Sequence, residues 1–284
     1  MKIIYHLLSL ITLFILLACC DEITGDYRQS QNQNIDTSKN ARRILLEDYT
    51  GFKCGSCPAA AEIAHDIESR YSGRVILMTV HAGYFAEPTT AHPYDFRTPE
   101  GNEWNVTFGI RDIGNPNGMV NRIKSDGSYV ITPTKWDAVV LSLLNTEPVL
   151  KLEFNAYYSL SRKEISVDAM LTYLKDGFPT HNFVACILED SIVQYQIDYR
   201  KTPQDIEDYV HNHVFRATMN STWGEPVSVN DIKAGAVIRK NCKYIIPESK
   251  GWRIDKLKIV CFVHDNSTKE ILQSGETDKL ILIP

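Results

Sequence analysis

Cys54-Gly55-Ser56-Cys57 places two thiols three positions apart, between an apolar run and a helix-like segment. A pair at that spacing converts between dithiol and disulfide with little backbone movement. At a helix N-terminus the dipole and the free N–H groups favour the thiolate, the reactive form. The chemistry indicated is thiol–disulfide exchange, in which Cys54 attacks and Cys57, one turn into the helix, resolves the mixed disulfide. Two alternatives stay open, a static disulfide and half of a metal site. Structural zinc requires four ligands, and no second C-x-x-C or matching His/Cys pair lies nearby. His211-Asn212-His213 would put two imidazoles on one face of a strand. It lacks neighbouring carboxylates or a third histidine, so no metal is expected there, and Asn212 and Arg216 are expected to serve loop or interface hydrogen bonds. No phosphate-binding glycine loop, serine elbow or metal-binding histidine helix is present, and no cofactor is expected.

The elements that must position the pair are legible around it. Ile44–Tyr49 is a short apolar strand bounded by Thr50-Gly51. Pro58–Tyr71 predicts a helix, with Pro58 in its first turn, Ala61, Ile63, Ala64, Ile67 and Tyr71 as its apolar stripe, and Gly73 as its stop. Val75–Val80 is a continuous apolar run, as in a strand buried on both faces. The three form a βαβ unit, right-handed by default. Residues 81–102 form a proline-punctuated loop, and Glu103–Ile110 a short helix. Met119–Ile123 and Gly127–Val130 suggest a hairpin, and Thr134–Leu144 a further helix. Trp104, Tyr84 and Phe85 are expected in core packing more than in a substrate groove. Beyond Pro148 the pattern is β, with strands expected over Leu150–Phe154, Glu164–Leu174, Phe183–Leu188, Val237–Ile246 and Leu257–His264. Residues 195–230 are the least readable stretch, an excursion between strands.

The first residues predict a destination. Lys2 precedes an apolar run ending Leu16-Leu17-Ala18-Cys19, too short for a membrane span and similar to a lipoprotein signal with Cys19 as the acylated residue. Residues 19–40 read as a polar tether, with a reach on the order of 25 Å for about 20 residues. The organisation expected is a signal over 1–18, the lipidated tether over 19–40, and folded domains over 41–147 and 148–284. A net charge of −5 without a basic run excludes a nucleic-acid partner. The membrane partner is the lipid alone. Cys186, Cys242 and Cys261 are expected as buried thiols acting as small hydrophobes.

Leu45–Cys57, the following helix and Val75–Val80 together resemble the thioredoxin fold. That resemblance implies a buried carboxylate six residues before the first cysteine, where Asp48 stands, although Glu47 has an equal claim to point inward. It also implies a cis-proline against the pair, where Pro116 stands, a residue that would otherwise be a plain turn proline. Lys53 departs from the usual tryptophan and would lower the Cys54 pKa by its charge. Pro58 and the Gly-Ser spacer are departures too. Leu46–Pro58, Asn115–Arg122 and His211–Arg216 are similar to the outer-membrane-protein-28-related lipoproteins of Gram-negative bacteria. This resemblance implies an α/β thioredoxin-like domain followed by an all-β immunoglobulin-like sandwich, on a lipoprotein of the outer membrane, facing either the periplasm or the exterior. Two functions are then open. One is a thiol–disulfide oxidoreductase acting on extracytoplasmic protein thiols, with Cys54, Cys57, Pro116 and Asp48 as its site. The other is a non-catalytic surface-binding or adhesion lipoprotein with an unidentified ligand.

Overall fold

The structure, a computed structural model, describes residues 41–284. The signal, lipid-site and tether readings, Cys19 included, lie outside them. Strand β1 (Ile44–Thr50) lies parallel to β2 (Val75–His81), joined by helix α1 (Cys57–Arg70). The short β3 (Asn117–Val120) flanks β1 on its other side, antiparallel. Helices α2 (Pro99–Thr107), α3 (Ile110–Ile113) and α4 (Pro133–Leu144) complete this half. The expected hairpin over 119–130 is replaced by a turn. Asn121 and Arg122 adopt left-handed φ values of 47° and 50°, which carry the chain out of the sheet, and Gly118 bridges Ile131 singly.

The remaining strands are β4 (Leu150–Ser159), β5 (Glu164–Tyr173), β6 (His181–Glu189), β7 (Ile192–Ile197), β8 (Asp205–His211), β9 (Val214–Thr218), β10 (Glu225–Pro226), β11 (Val237–Ile245), β12 (Leu257–Asp265), β13 (Ile271–Glu276) and β14 (Ile281–Ile283). Their pairing corrects the expected fold class. There is no α/β thioredoxin-like domain followed by a separate immunoglobulin-like sandwich. One mixed sheet runs β13-β12-β6-β9-β2-β1-β3, with β10 on β6, and so passes through both halves of the chain. The weld is at β9, where Thr79 pairs with Val214 and its N–H donates to the His213 carbonyl (2.8 Å). The described residues accordingly fall within one compact unit.

The reason is visible in the central strands. β6 is buried along its whole length. Phe183, Ala185 and Ile187 face a core shared with the four-stranded sheet β11-β5-β4-β14. Val184, Cys186 and Leu188 face a second core built with Leu45, Met78, Val80 and Trp104. A strand with two apolar faces needs a cover on each, and the N-terminal half supplies one of them. The apolar runs are readable in sequence; their joining into one sheet depends on contacts far apart in the chain. Cys186, Cys242 and Cys261 are buried and unpaired.

The stretch over 195–230 is not an irregular excursion. β7 and β8 pair as an antiparallel two-stranded ribbon, and β9 follows directly. That ribbon reaches the cysteine pair.

Candidate functional site

Cys54 and Cys57 are joined as a disulfide at the mouth of α1. The Cys54 N–H donates to the Gly51 carbonyl (2.9 Å) and the Cys57 N–H to the Cys54 carbonyl (3.1 Å), so the loop winds directly into the helix. Ser56 at the N-cap makes no side-chain cap, and Pro58 occupies the first turn. Of the first helix positions, the Cys57 N–H is therefore already bonded and Pro58 has none to offer.

The pair is covered. Cys54 is 3% and Cys57 1% exposed. The cover comes from the end of β7 and the turn that leads to β8. The Ile197 N–H donates to the Phe52 carbonyl, the Tyr199 N–H to the Gly55 carbonyl (both 2.9 Å), and Gln196 Nε2 to the Cys54 carbonyl (3.0 Å). A Cβ on Gly55 would run into the Tyr199 ring, so glycine is what allows this closeness. Arg200 ties the turn to the helix, forking onto both Glu62 oxygens (2.6 and 2.8 Å) while also donating to Asp198. Gln196, Tyr199 and Arg200 are not found by sequence reasoning. Gln196 stands 142 residues from Cys54 in a stretch without periodicity, and no local signal marks any of the three.

Behind the disulfide lies a cavity of about 270 Å³, lined among others by Cys57, Asp48, Thr79, His81, Tyr209 and His211. Asp48 and Cys57 thus line one pocket, which opens to solvent past Glu62 and His65. Strand alternation sends Glu47 to the opposite face, so both carboxylates are buried. Asp48 Oδ1 has no hydrogen-bond partner, and burial raises its pKa to about 7. Burial disfavours the charged form of two of the histidines that line the cavity, His81 and His211. The pKa of His81 is lowered well below its usual value, first by desolvation and then by His211 and Arg216; that of His211 falls to about 4. Neither His81 ring nitrogen has a hydrogen-bond partner, nor has Nε2 of His211. His81 stacks on Phe96 at 4.3 Å between ring centroids.

The other sequence-selected residues are placed as follows. The Asn115–Pro116 peptide bond is cis and leads into β3, where Asn117 is paired with Tyr49. Pro116 is not among the residues lining the cavity. Lys53 Nζ lies over the Tyr84 ring, 4.2 Å from its centroid. Trp104 is fully buried, whereas Tyr84 is 70% exposed. His211 and His213 both line the cavity but make different contacts: His211 lies beside His81, while His213, with φ of 55°, turns toward α1. Asn212 Oδ1 accepts from the Ser191 N–H (2.9 Å).

Residues 102–277, more than half of the chain, match the family described as outer membrane protein Omp28. The matched span begins after the cysteine pair, so the family likeness rests on the helices and strands that follow it. Among solved structures, HBP35 of Porphyromonas gingivalis superimposes with a TM-score of 0.64 at 18% identity, covering 85% of this chain and 77% of that one. A domain of the outer membrane lipoprotein Omp28 from Porphyromonas gingivalis aligns with a TM-score of 0.34 at 19% identity, over 48% of this chain and 92% of that one. An Agrobacterium tumefaciens protein gives 0.49 at 13% identity, over 86% and 96%. The first of these likenesses is one of fold alone. No curated protein matches the chain. No helix among the described residues is long and apolar enough to cross a membrane.

Proposed function

The chain belongs to the Omp28 family of outer membrane proteins, and on that premise we propose that it is a lipid-anchored thiol–disulfide oxidoreductase acting on protein thiols outside the cytoplasm. Its anchor is the lipid on Cys19, and its working groups are Cys54, Cys57 and Asp48, with Pro116 at the sheet edge where an extended substrate would pair. In the reducing direction the Cys54 thiolate attacks a substrate disulfide, forming the Cys54–substrate bond and releasing one substrate thiolate. Cys57 gives its proton to the Asp48 carboxylate and attacks the Cys54 sulfur. The Cys54–Cys57 bond forms, the second substrate thiolate leaves, and two electrons have passed to the substrate. The oxidising direction is the reverse, and the potential of the pair selects between them.

The observation that carries the proposal is the shared cavity. An unpaired carboxylate with a pKa of about 7 lines the same pocket as the resolving cysteine. A base poised near ambient pH is suited to take a thiol proton and return it. A second reading has its own observation: both sulfurs are nearly inaccessible beneath the ribbon, as in a static disulfide within a binding lipoprotein. Under the first reading the ribbon lifts to admit substrate; under the second it never needs to.

Redox titration of the whole chain in detergent decides between them, with the Cys54–Cys57 peptide counted by alkylation and mass. The oxidoreductase requires a reversible two-electron transition between about −120 and −270 mV. It also requires that Cys54→Ser abolish exchange while the fold is kept. A disulfide that resists reduction below about −300 mV would leave the binding scaffold as the function.

A further inference from the structure

His213 stands where β8 gives way to β9, in a left-handed conformation rare for a non-glycine residue. Its backbone is held on both sides. The N–H donates to Asp190 Oδ1 (2.6 Å), and the carbonyl accepts from the Thr79 N–H (2.8 Å). The ring is held too, because Nδ1 accepts from Lys258 Nζ (2.7 Å). The remaining nitrogen, Nε2, is thereby aimed at α1, and it lies 3.8 Å from Glu68 Oε2. On that helix His65 sits one turn before Glu68, on the same face, with its Nδ1 3.3 Å from the same carboxylate oxygen. The three donor atoms all lie within 4.8 Å of one another.

From these positions we infer that His65, Glu68 and His213 form a binding site for a divalent transition-metal cation of the zinc type. Two imidazoles and one carboxylate are a donor set that zinc accepts, with the fourth position left to water. Ligand bonds of about 2.0–2.1 Å put tetrahedral donors roughly 3.3 Å apart. The His65–Glu68 separation already has that value, and Glu68 to His213 is 3.8 Å. His65 is exposed and free to rotate inward. His213 and Glu68 are only 18% and 21% exposed at their side chains, so the less mobile pair is the better-ordered half of the site.

Binding requires Nε2 of His213 to be free of its proton. The ring takes the other neutral tautomer, with its proton on Nδ1, and Lys258 gives up that contact. Asp190 and Glu276, each 3.6 Å from Lys258 Nζ, are in place to receive the ammonium. Sequence reasoning sets aside His211-Asn212-His213 for want of a carboxylate and a third histidine. The fold instead gives His213 a carboxylate and a different second histidine, Glu68 and His65, from a helix far earlier in the chain.

The test is zinc binding by the whole chain with its disulfide intact, measured by equilibrium dialysis, together with the visible spectrum of the cobalt-substituted protein. The expected result is one zinc per chain and a cobalt spectrum of nitrogen and oxygen ligands without thiolate bands. Affinity should fall at least about tenfold in each of Glu68→Gln, His213→Ala and His65→Ala. Exposed His65 can be replaced without disturbing the fold, so that variant is informative even if His213→Ala fails to fold. Absence of stoichiometric zinc, thiolate bands in the cobalt spectrum, or undiminished affinity in His65→Ala overturns the site. The readout involves no exchange activity, so it stands or falls separately from the redox function.

Discussion

Glu47 and Asp48 are neighbours on one strand, both carboxylates and both buried, yet they meet opposite fates. Glu47 faces the core beneath α2 and is held by Arg122 through two bonds of 2.8 Å, with both side chains fully buried. Trp104, Phe108, Trp223 and Phe262 surround the Arg122 guanidinium within 4.8–5.8 Å of their ring centroids. Asp48 faces the cavity, where no cation meets it, and holds its proton to about pH 7. A buried carboxylate with a fixed partner is structural. One left without a partner remains able to exchange a proton with whatever shares its space. Cys57 lines that space with it, as do Thr79, His81, Tyr209 and His211.

The sharpest way to break this comparison is to remove the partner. Arg122→Met strands Glu47 in the core and should cost about 3–5 kcal/mol in urea unfolding, whereas replacing Glu47 by leucine at the same time should recover most of that loss. A cost below about 1 kcal/mol would mean that Glu47 is not held as described.

Asp48→Asn is the complementary change. The folded pKa of Asp48, about 7, is above the unfolded value of 3.8, so the native state retains a proton that the unfolded chain has lost. Stability therefore falls as pH rises from about 4 through 7. At pH 8 the wild type carries a buried charge costing on the order of 2–4 kcal/mol. The neutral amide removes this charge, so unfolding measured from pH 5 to 8 should flatten and the variant should gain stability at the alkaline end. The exchange reaction should slow in the same variant and lose its inflection near pH 7. An unchanged pH profile of stability would show that Asp48 ionises freely.

The smallest effect concerns the cover. Arg200 and Glu62 are largely exposed, so their bond is screened and contributes no more than about 1 kcal/mol. Arg200→Met should loosen the turn after β7 and speed reduction of the disulfide by an added thiol about fivefold at most. No change in that rate would place the holding force in the backbone bonds to Phe52 and Gly55 instead.

The parts legible in sequence are the local ones. Ile44–Tyr49, the helix after Cys57, Val75–Val80 and the 134–144 helix are recognisable from their periodicity, with ends displaced by a residue or two. The expected fold class fails because apolar runs such as Phe183–Leu188 announce burial on two faces without saying what covers each. In this protein the cover on one face is the N-terminal half itself. The ribbon over the cysteines is illegible for a related reason. Its strands alternate weakly, and two of the bonds that fix its position are backbone bonds to Phe52 and Gly55, which any residue but proline can donate.

By itself, the sequence determined the chemistry available and the elements bearing it: a cysteine pair at the start of a helix, carboxylates on the preceding strand, and apolar strands long enough to be buried. These follow from residue type, spacing and periodicity, which are local properties. Only the tertiary structure decided which carboxylate met a cation and which was left unpaired. It also decided that the cysteines would be covered, that one sheet would run through both halves, and that His213 would face His65 and Glu68. Each of these is settled by pairing between segments far apart in the chain, where the burial of whole faces outweighs local preference.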